Sequence, residues 1–295
     1  MTINEKFQEL EKKAILVYLI VAFVPAWILF VLPVLLKSAD STNGNLIALI
    51  GWSLAMWMPG LGAILSIKLT EKKSLKELGL NKLGQIKIYL WAWLVPILLT
   101  LATGLITWLM GWGKLDLSLQ IIKDAIEGMP EVPGLSISAL MAIQIAASLT
   151  LAPLFNTLFA LGEELGWRGY LLQKLLPLGQ FPAIMISGVI WGVWHVPAIL
   201  QGHNYPDHPV LGTGMMVVFT LLLGTFLSWL YLKTQSPWAP ALAHGTVNAV
   251  AGIPLLFLSG VDITLGGTLP SIAGWLALSV LAGILIWKKE IPVEI

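Results

Sequence analysis

The sequence predicts an all-α fold, a polytopic membrane helix bundle with about eight transmembrane helices and both termini in the cytoplasm. Of its 295 residues, 57% are hydrophobic and only 11% are charged, and the mean hydropathy is +0.84. Apolar runs recur at the length of about 20 residues that a transmembrane helix needs. This composition excludes an ordinary soluble domain, and the lack of Cys excludes disulfides, a thiol nucleophile and cysteine metal ligands.

Eight apolar runs define the predicted spans. The first is too long for the apolar core of a signal peptide and is not followed by a cleavage pattern, so we interpret it as an uncleaved helix. The fourth is longer than one span requires and also contains charged residues. In chain order the predicted spans are Ala14–Leu36, Asn45–Ile67, Ile88–Met110, Leu135–Leu172, Phe181–Leu200, Val210–Leu232, Pro237–Leu258 and Ser271–Trp287.

The distribution of Lys and Arg favours this count. With the N-terminus in the cytoplasm, the outside segments hold only Lys37, Lys114 and Lys123 of the 17 basic residues. All the others fall in inside segments or at the inner ends of spans, as the positive-inside rule expects. We therefore predict one integral-membrane domain over residues 1–295.

The chemistry is confined to one part of this domain. Residues 1–134 form a three-span region without a recognisable motif, residues 135–258 carry the predicted catalytic core helices, and residues 259–295 form the last span and a cytoplasmic tail. Within the core, Glu163, Glu164 and Arg168 interrupt an apolar run. A charged side chain at membrane depth costs about 3 kcal/mol even on the lenient insertion scale, so such residues indicate a functional site.

Helical spacing assigns these charges to different faces. Glu164 and Arg168 are four residues apart, so they share a face and can pair. Glu163 projects about 100° away from Glu164 and is free to face a different cavity. For the carboxylates to reach the depth of the histidines on other spans, the helix must cross the membrane at about Thr150–Leu172. The run 135–149 is then an outer extension, bent near Pro153.

Two histidines lie in neighbouring apolar spans. His244 and Asn248 are four residues apart on the seventh span, and Trp191 and His195 have the same spacing on the fifth. We expect the first pair to project together and the Trp191 indole to fix the His195 imidazole by packing. The remaining histidines, His203 and His208, fall in a polar outer turn and are predicted to be solvated.

These spaced motifs resemble a known family. The sequence resembles the CAAX protease and bacteriocin-processing family of intramembrane glutamic endopeptidases, which includes the type II CAAX prenyl endopeptidases. The resemblance rests on three motifs that occur in order, Glu163-Glu164-x-x-x-Arg168, Trp191-x-x-x-His195 and His244-x-x-x-Asn248, and on surrounding segments such as EELGWRGYLL. The resemblance covers about residues 152–252. Its one departure is Trp191, where the generic motif has Phe, and it keeps an aromatic ring.

The resemblance implies a metal-independent protease. Glu163 would act as the general base for water, His195 would hold or polarise that water, and His244 with Asn248 would donate to the oxyanion. Glu164 would support the site with Arg168, and a direct catalytic part for Glu164 stays open. We expect bilayer lipid and a membrane-associated peptide or protein substrate as partners, with no cofactor and no nucleic acid.

Three alternatives stay open. Glu163, His195 and His244 could form a zinc site of a metalloprotease, although the sequence lacks H-E-x-x-H and Asn248 is a poor zinc ligand. The same scaffold could serve as a non-proteolytic bacteriocin-immunity or partner-binding protein. A transporter is less favoured, because its ionisable groups usually lie along a path across the bilayer.

Pairs of glycines mark predicted close contacts between helices. Gly60-Leu-Gly62 and Gly212-Thr-Gly214 lie in apolar runs, so we interpret them as sites of close helix packing and not as nucleotide-binding motifs.

Overall fold

The computed structural model describes residues 3–36, 41–120, 123–124 and 135–293. Its α-helices of four or more residues are α1 (Ile3–Leu36), α2 (Ser41–Ala55), α3 (Met58–Leu65), α4 (Ile86–Leu109), α5 (Ile137–Leu149), α6 (Leu151–Gly166), α7 (Gln180–Trp194), α8 (Val196–Ile199), α9 (Pro209–Thr234), α10 (Trp238–Val250) and α11 (Ile272–Trp287). Two short strands, β1 (Lys114–Leu115) and β2 (Leu258–Ser259), pair antiparallel. The all-α fold class is confirmed.

The length and apolar composition of several helices are those of a multi-pass membrane protein. Among the described residues, five helical segments are long and apolar enough to cross a membrane, and a sixth counts when α5 and the bent continuation Leu151–Leu178 are taken as one span. The chain is thus an integral membrane protein. The other two predicted spans are the shorter apolar helices α7 and α11, and the cytoplasmic placement of the termini stays a prediction.

The bend in the fourth predicted span lies where the sequence places it. α5 and the helix that follows meet at an angle of 44°, and Thr150 between them has non-helical dihedrals of −123° and −73°. Pro153 causes the break, because its ring would clash with the carbonyl of Leu149 in a continuous helix. In the first turn of α6 the same proline costs little, since its missing N–H has no acceptor there.

The helix then continues beyond the Glu pair, as predicted. α6 passes at Gly166 into a π-helical segment, Trp167–Leu172, and further turns follow to Leu178. Glu163 and Glu164 are consequently buried, with 2% and 0% of their surface exposed. A π-helical turn is a rare element that often lies at functional sites, and this one carries Trp167 and Arg168.

The fifth predicted span, Phe181–Leu200, is wrong as one continuous helix. α7 ends at Trp194, His195 takes dihedrals of −77° and −12°, and α8 begins at Val196. Pro197 explains the break, because it has no N–H to donate and its ring would clash with the Val193 carbonyl. His195 therefore lies at a helix end inside the bundle.

Two other predicted spans are also irregular. The second, Asn45–Ile67, breaks at Met56 and Trp57 before α3, which has Pro59 in its first turn. The seventh, predicted to end at Leu258, has its α-helix end at Val250, and a 3₁₀ turn, Ile253–Leu256, leads into β2. These breaks place short non-helical segments inside the predicted spans.

Helix α6 lies at the centre, with α10 packed along it and α3 on another side. Small residues allow these close approaches: a Cβ on Gly60 would lie 2.8 Å from the Gly162 carbonyl oxygen, and one on Gly245 would lie 2.5 Å from the Thr157 nitrogen. The packing role of the Gly60 pair is confirmed. Of the second pair, Gly212 packs closely, but Gly214 has nothing within 4 Å of a Cβ, so that part of the prediction is wrong.

Candidate active site

The predicted site residues of three helices meet at one cavity. It has a volume of about 320 Å³ and is lined by Glu163 of α6, His195 at the end of α7, and His244 and Asn248 of α10. Trp191 also forms part of its wall. Glu164 and Arg168 do not line the cavity; they lie behind it, almost fully buried.

The Glu163 carboxylate is held on one of its oxygens. Trp191 donates its indole N–H to Oε2 at 2.7 Å, and Trp167 donates to the same atom at 3.3 Å. Trp167 is four residues after Glu163 on the same helix, whereas Trp191 comes from α7. Both indoles are buried, so this carboxylate is fixed by hydrogen bonds from two sides.

Glu164 forms a separate buried network. Its Oε1 accepts from Arg168 Nη1 at 2.9 Å and from His244 Nδ1 at 2.9 Å. The predicted pairing of Glu164 with Arg168 is thus present, and His244 joins it from α10. The different directions of the two glutamates expected from helical geometry are also observed: Glu163 meets the cavity, and Glu164 meets Arg168.

The break after α7 sets the orientation of His195. Its backbone N–H donates to the Gly192 carbonyl, which leaves the Trp191 carbonyl free to accept from His195 Nδ1 at 2.8 Å. A carbonyl oxygen can only accept, so Nδ1 carries a proton. In the neutral ring Nε2 is then a bare acceptor, available to a group in the cavity.

Trp191 has a larger part than the sequence suggested. The Arg168 guanidinium carbon lies 4.3 Å from the centre of its ring, and the His244 and His195 rings lie 5.4 and 5.8 Å away. The expectation that this indole fixes His195 by packing alone is therefore incomplete. It is the Trp191 carbonyl that holds the imidazole, while the indole N–H holds Glu163.

His244 and Asn248 project together, as their spacing predicts. Both line the cavity, and His244 is 6% exposed, whereas Asn248 is exposed. With Nδ1 of His244 on Glu164, its Nε2 is the ring nitrogen left for a group in the cavity. The Asn248 amide provides a second potential donor on the same helix face.

Sequence reasoning missed several parts of the wall. Phe30 of α1, Trp52 of α2 and Met56 in the break after α2 all line the cavity, although no motif was found in this part of the chain. His203 is exposed, as predicted, yet it lines the cavity and its ring lies 5.0 Å from that of Trp52. No periodicity within one helix could have shown these contacts between helices.

Trp167 was also missed as a polar group. It lies in the apolar run after the Glu pair, four residues after Glu163. Because residues four apart share a helix face, this spacing could have indicated a contact between the Trp167 indole and Glu163.

The zinc alternative requires a ligand set. Within the described part of the chain, no three His, Asp or Glu side chains are grouped so that they could hold a metal ion. The trio proposed for zinc, Glu163, His195 and His244, lines the cavity without forming such a group. Nδ1 of His195 and Nδ1 of His244 are each already engaged by protein acceptors.

Comparison with known proteins agrees with the motifs. The sequence model of the type II CAAX prenyl endopeptidase Rce1-like family matches residues 140–250, a range that includes Glu163, His195, His244 and Asn248. CAAX prenyl protease 2 of Methanococcus maripaludis is 31% identical over 78 residues, which make up 25% of this chain and 29% of the relative. The matched part thus spans less than a third of that relative's length. Residues 140–250 of this chain are therefore similar to the Rce1-like family of type II CAAX prenyl endopeptidases.

Proposed function

We propose that this protein is an intramembrane endopeptidase that hydrolyses a peptide bond of a membrane-associated substrate with a glutamate-activated water. The observation that carries the proposal is the convergence of Glu163, His195, His244 and Asn248 on one cavity within a membrane helix bundle. Peptide hydrolysis needs an activated water and donors for the oxyanion. These four side chains can supply both.

Water activation is assigned to Glu163 and His195. Glu163 lines the cavity. Two indoles donate to its Oε2, and its Oε1 has no hydrogen-bond partner among the described residues. His195 presents an unprotonated Nε2, which can accept a hydrogen bond from the water. The water is thereby oriented by His195 while Glu163 removes its proton as it attacks the carbonyl carbon.

The oxyanion is assigned to Asn248 and His244. The Asn248 amide donates without any change of charge. His244 can donate from Nε2 only when both ring nitrogens are protonated, because Nδ1 already donates to Glu164. Two carboxylates and one guanidinium surround this imidazole, so an imidazolium there balances the charges of Glu163, Glu164 and Arg168.

Glu164 and Arg168 are assigned a positioning role. Arg168 neutralises Glu164 at 2.9 Å, and the Glu164 carboxylate fixes the His244 ring through Nδ1. This is the arrangement in which a carboxylate orients a histidine without touching the substrate. It also explains how two adjacent glutamates can lie at membrane depth.

The apolar wall of the cavity supports a lipid-proximal substrate. Phe30, Met56, Met216, Phe219 and Leu223 contribute apolar side chains to its lining. The name of the relative from Methanococcus maripaludis, CAAX prenyl protease 2, suggests a peptide with a prenylated C-terminal CAAX sequence as the first probe. We therefore propose such a peptide, made fluorogenic, as the assay substrate.

The proposed function is tested by comparing protein termini in membranes. Cells with the wild-type protein, with Glu163→Ala and with Glu290→Gln are analysed by N-terminal and C-terminal proteomics. Glu290 is a matched control, because its carboxylate also accepts from an indole and a cation, Trp229 and Lys233, but away from the cavity. We expect membrane-proximal termini that are lost only with Glu163→Ala. Identical termini in all three strains, with equal amounts of protein, would refute the proposal.

A further inference from the structure

The two indoles that hold Glu163 bind the same oxygen. Trp191 Nε1 lies 2.7 Å and Trp167 Nε1 lies 3.3 Å from Oε2. Among the described residues, no hydrogen bond is found to Oε1 of this carboxylate. Oε1 is nevertheless not a fully buried atom. Because Glu163 lines the cavity, we infer that Oε1 is accessible from the cavity.

The two carboxylate oxygens of Glu163 therefore differ in the lone pairs that they have available. A carboxylate oxygen offers two lone pairs in the carboxylate plane. Two N–H donors occupy those of Oε2, which leaves Oε2 a poor base towards a third partner. Oε1 keeps both lone pairs and faces the space in which a water can lie.

We propose that Trp167 is a positioning residue that, together with Trp191, saturates Oε2 of Glu163 and so leaves Oε1 as the oxygen that takes the proton from water. This inference deepens the proposed function and rests on it. Trp167 touches neither substrate nor water; it acts through Glu163. It also stops the flexible glutamate side chain from rotating, because donors from two helices hold one end of the carboxylate.

The surroundings of Trp167 are built to hold its indole. The side chain is fully buried, at 0% exposure. The ring of Tyr18 packs against it edge-on at 5.9 Å, and the ring of Trp194 does so at 6.0 Å. Tyr18 lies on α1, outside the family match at residues 140–250. The first helix therefore contributes to the geometry of Glu163 through Trp167, although it carries none of the motifs.

The geometry can be tested without activity. The full chain is labelled with ¹⁵N-tryptophan in detergent micelles, and indole N–H signals are assigned with single Trp→Phe variants. Glu163→Ala removes the shared acceptor, so we expect the Trp167 and Trp191 signals to move together to lower proton chemical shift. Trp229 is the matched control, since its indole donates to a different carboxylate, Glu290 Oε2, also at 3.3 Å. Its signal should move only with Glu290→Ala.

The kinetic role is tested with Trp167→Phe, which keeps an aromatic ring at this position but removes the indole N–H. A hydrogen bond to a charged group is strong enough that we expect kcat on the fluorogenic CAAX peptide to fall about tenfold. KM should stay within about twofold, because Trp167 does not meet the substrate. Trp229→Phe should leave both constants unchanged.

The outcomes separate this inference from the proposed function. The inference is overturned if the Trp167 indole signal does not shift in Glu163→Ala. It is also overturned if Trp167→Phe has the wild-type kcat or changes only KM. If both signals move but the wild-type chain leaves the peptide and all membrane termini intact, the proposed function fails, while the shared oxygen stands as a structural device. Both signals moving together with a loss of kcat supports both.

Discussion

Arg168 Nη1 lies 2.9 Å from Glu164 Oε1, and the two side chains are 1% and 0% exposed. The guanidinium also stacks over the Trp191 ring at 4.3 Å, so the cation is held by a carboxylate on one side and an aromatic face on another. Removing one partner of such a buried pair leaves an uncompensated charge.

We therefore predict that Arg168→Ala lowers the stability of the protein by about 3–5 kcal/mol. Thermal unfolding in detergent measures this, with Lys233→Ala as the control, because Lys233 and Glu290 form an ion pair whose side chains are 39% and 33% exposed. Arg168→Lys should lose less than Arg168→Ala, since it keeps the charge but not the planar stacking. Equal losses for Arg168→Ala and Lys233→Ala would contradict the buried network.

Substitution of the two adjacent glutamates should affect different properties of the protein. Glu163→Gln keeps the shape of the side chain but removes the proposed base, and a general base contributes roughly 10²–10⁴-fold to the rate. We expect this variant to lose turnover of the fluorogenic peptide while unfolding at nearly the wild-type temperature. Glu164→Gln should instead lower the unfolding temperature, since it leaves Arg168 without its carboxylate, and retain part of the turnover. A fully active Glu163→Gln protein would refute the assignment of the base.

Asn248 provides a test of the oxyanion donors. Its amide lines the cavity, and loss of one oxyanion donor typically lowers kcat by roughly 10²–10³-fold. Asn248→Ala should show this fall with little change in stability, because the side chain is exposed. Asn156→Ala, a carboxamide on α6 that does not line the cavity, is the matched control. Equal activity of the two variants would argue against a role for Asn248.

The close contact between α6 and α10 should depend on Gly245. A Cβ at this position would lie 2.5 Å from the Thr157 nitrogen on α6, so Gly245→Ala must push apart the helices that carry Glu163 and His244. We expect a loss of about 1–3 kcal/mol in stability, the usual cost of overpacking, and a loss of activity. Gly214→Ala on α9 meets nothing within 4 Å and should be neutral or slightly stabilising, because Ala favours helix over Gly. The opposite order of stabilities would show that this contact relaxes freely.

Chelation distinguishes the glutamate mechanism from the zinc alternative. We expect the rate of peptide cleavage to be unchanged after treatment with a strong chelator, because the Glu163 base and the Asn248 and His244 donors need no ion. The check is to measure the cleavage rate of one preparation before chelation, after chelation and after zinc is added back, and to determine its metal content at each step. Activity that is abolished by the chelator and restored by zinc would replace the proposed mechanism with a metal-assisted one.

Much of the site could be predicted from single helices. Charged residues in an apolar run identified Glu163, Glu164 and Arg168, and the four-residue spacing correctly paired Glu164 with Arg168 and placed His244 beside Asn248. Proline marked the bend before α6. These predictions succeeded because they depend on helix geometry and on the cost of charge in lipid, both of which act locally.

Other features required the packed bundle. The break at His195 was missed although Pro197 was visible, because the hydropathy of the run outweighed the local signal. The bond from the Trp191 indole to Glu163 and the bond from His244 to Glu164 join residues 28 and 80 positions apart. Such contacts depend on how each helix is rotated and on which small residues let the axes approach.

Hydropathy, composition and helical spacing establish the membrane class of the protein, its polar groups and the helix faces on which they lie. Helix packing sets the remaining features: Trp167 and Trp191 hold one oxygen of Glu163, Glu164 accepts from His244, and residues of the first helices line the cavity. The physical reason is range: hydropathy and helical periodicity act along one segment, whereas a hydrogen bond between helices is decided by the packing of all the segments around it.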